Sequence, residues 1–127
     1  MSTTVTQGLK IVVNAEPWPE RSMPDAGQFA FTYHVEISNT GEVAAQLLSR
    51  HWVITDGAGH IEEVKGDGVV GKQPRLEPGQ AFEYTSWAML RTPFGSMRGS
   101  YFMVRPDGTR FEAKIGEFVL ALPHALH

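Results

Sequence analysis

The chain contains no cysteine, which excludes a disulfide framework, a thiolate nucleophile and a Cys-type zinc site. Long apolar runs are missing as well. The longest, Phe118–Pro123, falls far short of the roughly 20 residues that cross a bilayer as a helix, so membrane insertion is not expected and a channel or transporter is excluded for this chain alone. Met1-Ser2-Thr3-Thr4 has neither the basic start nor the apolar run of a secretory signal. Together with the absent cysteines, this makes a cytosolic location the expectation. Charge of one sign is scarce too. The net charge is −3, with 3 Lys/Arg against 8 Asp/Glu over residues 1–64 and 8 against 6 over residues 65–127. That balance lacks the basic stripe of a nucleic-acid binder, and no nucleic-acid partner is expected.

Helical periodicity is also lacking, and a period of two takes its place. At 127 residues the chain is read as one domain, 1–127, able to bury a core without staples. Leu9–Ala15 is a short β-branched run and reads as a strand. Residues 16–27 hold three prolines, a glycine and several charges, which predicts an exposed loop, with Trp18 packing back on the core or serving as a contact. Over Gln28–Asn39, Phe29, Phe31, Tyr33, Val35 and Ile37 alternate with Ala30, Thr32, His34, Glu36 and Ser38, the pattern of a strand with one wet face. Val43–Asp56 is apolar on both sides, as expected of a central strand. His60–Val64 and Ala81–Ser86 read as strands, Arg91–Gly99 as a loop. Ser100–Arg105 and Thr109–Leu122 form a hairpin about Pro106-Asp107-Gly108. The apolar phase of the last strand switches from Phe111, Ala113 and Ile115 to Phe118, Leu120 and Leu122, which predicts a β-bulge near Gly116. Residues 123–127 are expected to form a flexible tail. The fold class that follows is all-β: a single β-sandwich of about seven or more antiparallel strands.

The most conspicuous stretch is Gly66-Asp67-Gly68-Val69-Val70-Gly71, a G-x-G-x-x-G pattern flanked by Lys65, Lys72 and Arg75. In dinucleotide-binding folds this pattern ends a strand and opens a helix whose N-terminus holds the pyrophosphate. Here Pro74 and another strand follow, so that context is missing. Three readings stay open: a tight β connection, a protein-contact loop, or an anion nest built from backbone amides with Lys65 and Lys72 balancing the charge. His34, His51, His60, His124 and His127 form no H-x-x-x-H or H-E-x-x-H pair, and no metal or other cofactor is expected. There is no G-x-S-x-G elbow around Ser49, Ser86, Ser96 or Ser100, and Glu62-Glu63 would lie on opposite strand faces, so no catalytic group is assigned and the chain is expected not to be an enzyme.

Arg50-His51-Trp52, the glycine loop with Gln73-Pro74, Leu76-x-Pro78-Gly79, Tyr84-Thr85-Ser86 and Gly95-x-Met97-x-Gly99-x-Tyr101 occur in one order along nearly the whole chain. In these patches the sequence resembles the bacterial ApaG family. The resemblance implies a fibronectin type III-like or immunoglobulin-like sandwich and an indirect association with cobalt resistance and magnesium efflux. It also implies a protein-interaction role, as in larger eukaryotic proteins that carry such a domain. The expected function is therefore a non-enzymatic cytosolic module that binds an unidentified protein partner through an exposed edge or the glycine-loop surface, with Arg50, Trp52, Val69, Val70 and Pro74 as contacts, although a tryptophan in the middle of a sandwich strand is more often a core residue. An edge strand would also allow a homodimer. The alternative is a phosphate or nucleotide sensor that binds pyrophosphate weakly through Gly66–Gly71.

Overall fold

In the computed structural model, which describes residues 1–123, the period-two segments become strands whose inward residues meet in one core. The strands are β1 (Ser2–Thr6), β2 (Leu9–Pro17), β3 (Phe29–Asn39), β4 (Ala45–Asp56), β5 (Ile61–Asp67), β6 (Arg75–Leu76), β7 (Ala81–Leu90), β8 (Phe94–Val104) and β9 (Arg110–Ala121). One antiparallel sheet runs β1-β2-β3-β7; the other runs β5-β4-β8-β9, with β6 continuing the β5 edge along β4. The two sheets form an all-β sandwich. Two three-residue 3₁₀ turns, Pro19–Arg21 and Pro24–Ala26, are the only helical pieces among the described residues, and no helix is long and apolar enough to cross a membrane.

β3 shows why the sandwich forms. Phe31, Tyr33, Val35 and Ile37 are buried, while Thr32, His34, Glu36 and Ser38 alternate with them on the wetter outer face. β4 lies between β5 and β8, so both its edges are paired, and the neighbours Trp52 and Val53, which point to opposite faces, are both buried. Trp52 stands edge-on to Tyr33, Tyr101 and Phe118, with centroid distances of 5.3, 6.2 and 5.9 Å.

The predicted bulge is present. Between the pairs Met97↔Phe118 and Gly99↔Ile115, β9 carries one residue more than β8, which places the extra residue at Gly116–Glu117 and turns Phe118 back to the core. A second bulge, at Leu48 of β4, has no counterpart in the sequence reading.

Two expectations need correction, and one strand goes beyond them. Arg91–Gly99 is not a loop from Phe94 onward, because β8 begins there. Its glycines suggest a turn, but Gly99 sits in the strand because a Cβ there would lie 2.1 Å from the His51 carbonyl oxygen of β4. The loop expected over 16–27 starts later, since Glu16 and Pro17 still pair with Thr32 and Phe31. Beyond them the chain is tied down: the Trp18 N–H donates to Ala30 O, and the Ser22 hydroxyl donates to Trp18 O while accepting from the Ala30 N–H. Finally, β1 was not anticipated, although Gln7 and Gly8 both have positive φ and close a two-residue hairpin onto β2. The expected flexible tail, apart from Pro123, lies outside the described residues, as do His124 and His127.

The two long sides of the sandwich end differently. Where β1 meets β9, the Thr4 hydroxyl accepts from the Gly116 N–H at 2.9 Å and the Thr6 hydroxyl accepts from the Lys114 N–H at 3.2 Å. The Arg105 guanidinium clamps the same side by donating to Gln7 O and Val43 O. On the opposite side β5 and β7 are edge strands, paired inward with β4 and β3, whose outer edges no described strand pairs with.

Candidate functional site

The glycine loop is a hairpin turn fastened to β4. Gly66 and Asp67 are the last residues of β5 and pair with Arg50 and Ser49. The Gly68 N–H donates to Leu48 O, the Val69 N–H to Lys72 O and the Lys72 N–H to Val69 O, at 2.8, 2.8 and 2.9 Å. Val70 (φ 44°) and Gly71 (φ 77°) form the tip of a two-residue turn with both φ values positive. A Cβ at Gly68 would stand 2.3 Å from Lys72 O, and one at Gly66 would stand 2.9 Å from the guanidinium carbon of Arg50. Each glycine of the pattern thus has a structural reason. With the Gly68, Val69 and Lys72 amides engaged, an anion at the tip would be left with the Val70 and Gly71 amides and with exposed Lys65 and Lys72. No helix N-terminus follows.

The structure separates the five proposed contact residues. Trp52 and Val69 are buried, at 2% and 1% exposure, and belong to the core, so neither offers a side chain on the free surface. Trp52 lies on the inward face of β4, against Tyr33 of the opposing sheet, and Val69 is part of the same core beside the tip. Pro74 is half-buried, and its carbonyl accepts from the Leu47 N–H. Val70 is exposed. Arg50 is half-buried, and one of its terminal nitrogens donates to Asp67 O at 3.0 Å and Gly68 O at 2.9 Å.

Arg50 and Trp52 are two residues apart on one face of β4, and both line a cleft of about 340 Å³ on the open side of the sandwich. Its β5 wall holds Glu62 and Val64, its β7 wall runs from Ser86 to Met89, and Tyr33 and Met97 also line it. The Trp52 indole N–H has no acceptor; with the Ser2 hydroxyl it is one of two buried side-chain polar atoms left unpartnered among the described residues. Arg50 has no carboxylate within ion-pair reach among the described residues, where the four ion pairs are His34–Glu83, His51–Glu63, Arg75–Glu77 and Lys114–Glu112. Among the buried phenols, Tyr33 lines the cleft with it. Burial pushes Tyr33, Tyr84 and Tyr101 above the ordinary tyrosine range, partly offset at Tyr33 by Ser86, at Tyr84 by its hydrogen bond to the Tyr101 hydroxyl, and at all three by Arg50. These groups stay neutral and serve as hydrogen-bonding hydroxyls, not as bases. Among the described residues no three His, Cys, Asp or Glu side chains converge on a point that would suit a metal.

Next to the cleft, on the outer face of β7, Trp87 (59% exposed) and Met89 share a concavity of about 400 Å³ with Trp18 and Arg21. Arg21 lies 5.6 Å from the centre of the Trp18 ring. The sequence reading stopped this strand at Ser86 and so missed Trp87 and Met89. Carrying the alternation of Glu83 and Thr85 four residues further would have put both on the solvent face.

The family model for the ApaG domain matches residues 19–105. The chain belongs to the ApaG family. It is 58% identical over 119 residues to Protein ApaG of Ralstonia nicotianae, covering 94% of this chain and 96% of that protein. The crystal structure of the ApaA protein from Bordetella pertussis is similar at a TM-score of 0.89 and 51% identity, over 91% of this chain and 94% of that one. The C-terminal domain of wzt, at 11% identity and a TM-score of 0.51 over 99% of this chain and 87% of that one, shares the sandwich fold alone. Within this ApaG-family chain, the matched stretch carries every residue of the open cleft and neither β1 nor β9.

Proposed function

We propose that this ApaG-family chain is a non-enzymatic, cytosolic binding module that holds a protein partner on its open side. The observation that carries the reading is the pair of free edges, β5 and β7, bordering a cleft beside exposed Trp87, Met89 and Arg21. An unpaired edge offers backbone hydrogen bonds to an extended segment. Tryptophan, methionine and arginine are the side chains that protein interfaces favour. The glycine loop supports this surface from behind, through Arg50, which joins the loop carbonyls to the cleft. Any influence on cobalt or magnesium handling would pass through the partner.

The phosphate-sensing alternative would have to work with two turn-tip amides and exposed lysines, which is less than an anion nest normally gathers. Partner capture by the full chain tests the main reading. Trp87→Asp should abolish capture while leaving the thermal melt unchanged; retention of the same partner by this variant would contradict the proposal.

A further inference from the structure

We propose that the cleft between β5 and β7 receives the C-terminal residue of the partner chain, its carboxylate at the Trp52–Arg50 end and its apolar side chain against Ile54, Val64 and Met97. This deepens the binding-module reading and rests on it.

Four features of the cleft specify this occupant. The indole N–H of Trp52, in a residue 2% exposed, lacks an acceptor. A buried donor left unpaired is costly, and Trp52 lines the cleft, so an acceptor that closes on this N–H gains more than it would on an open surface. Arg50 provides a positive charge whose hydrogen-bond partners are the carbonyls of Asp67 and Gly68, with no carboxylate paired to it among the described residues. A carboxylate meets both needs at once.

Glu62 lines the same cleft from a place on β5 opposite Ile54, four residues from Gly66, which pairs with Arg50. At the ordinary strand rise that separation is about 13 Å. The cleft is therefore polarised, repelling a carboxylate at the Glu62 end and attracting it at the Arg50 end. Its volume, about 340 Å³, is at the small end for ligand sites and suits one residue. The residues preceding that carboxylate then lie along β7, whose outer edge is free to pair with an extended strand.

The three tryptophans, Trp18, Trp52 and Trp87, give three indole N–H signals in the ¹⁵N-labelled full chain, and these serve as probes. The ligands are an acetylated Ala-Thr-Val-Leu peptide as the free acid, the same peptide as its C-terminal amide, and N-acetylleucine. The free acid should move the Trp52 indole signal and the β7 amides saturably, and the amide should bind at least about tenfold more weakly. Arg50→Gln should erase that preference. Because Arg50 also ties the loop, the acid–amide comparison on the unaltered protein stands as the decisive measurement.

Equal affinity for acid and amide would overturn the proposal. So would a stationary Trp52 signal while Trp18 and Trp87 move, which would leave the outer surface as the binding site and empty the cleft of its role. N-acetylleucine binding as tightly as the tetrapeptide would overturn the peptide occupant in favour of a free small carboxylate. Silence with all three ligands would overturn the C-terminal assignment, and the capture experiment with Trp87→Asp would then judge the wider reading separately.

Discussion

The two long sides of this sandwich solve one problem in opposite ways. Each sheet ends in strands whose backbone groups need partners. At β1 and β9 the hydroxyls of Thr4 and Thr6 accept from the Gly116 and Lys114 amides, and Arg105 ties the β1–β2 turn to the chain before β4. At β5 and β7 no such cross-bonds form among the described residues, and a cleft opens between the sheets down to Trp52. Two edges that protein surfaces normally hide are thus left usable on one side only. The open side also carries exposed Trp87 and Met89, whereas the outer faces of β2 and β3 are largely polar.

Raising pH should separate the sides most strongly. Tyr33 lines the open cleft, Tyr84 sits on edge strand β7 with its hydroxyl bonded to that of Tyr101 on β8, and burial raises each above its ordinary value in the folded state. Groups with raised folded values contribute fully below their unfolded value, near 10, and lose that contribution as pH climbs past it. Each phenol should then subtract stability at up to about 1.4 kcal/mol per pH unit until the pH reaches its raised folded value. Urea melts between pH 9 and 11.5 check this; a flat profile would contradict the buried hydroxyl cluster.

The next largest effect belongs to the closed side. Thr4→Val leaves the Gly116 amide without its acceptor and should lower stability by about 1–3 kcal/mol. The matching change on the open side, Thr85→Val, removes only an exposed bond to His34 and should stay within about 0.5 kcal/mol. Equal losses in chemical denaturation would erase the distinction between the sides.

A gain is expected at the loop. Val70 is β-branched at φ 44°, a strained conformation for such a side chain. Val70→Asn should stabilise the chain by about 1 kcal/mol, because Asn-Gly suits this turn. The smallest effect on stability is Trp87→Ala, within about 0.5 kcal/mol, yet it should weaken partner capture. A large drop in melting temperature would mean that Trp87 supports the fold rather than the surface.

Much of the sandwich was legible in the chain. The alternation in Phe29–Asn39, the two-faced apolarity of Val43–Asp56 and the phase switch at Gly116 each map onto an observed strand, central position or bulge. β1 was not legible because Ser-Thr-Thr-Val-Thr has little apolar contrast, and its seam depends on hydroxyls meeting a strand more than a hundred residues away. The start of β8 was hidden by glycines that mark close strand approach and not a turn.

The site was legible only in part. The glycine pattern drew attention to the loop, and Arg50 does link that loop to the cleft. Trp52 and Val69 instead joined the core. Which strands end up as edges follows from tertiary pairing, which no local pattern encodes, so the cleft between β5 and β7 had no linear signature.

The claim that the open side is the working side is tested most directly by site-specific photo-cross-linking. Positions 87 and 5 make a matched pair, since Trp87 and Val5 are both 59% exposed, one on edge strand β7 and the other on β1. A photoreactive residue at 87 should capture a discrete protein partner in cells, while the same residue at 5 should capture none. Capture from position 5 equal to or stronger than that from 87 would contradict the account.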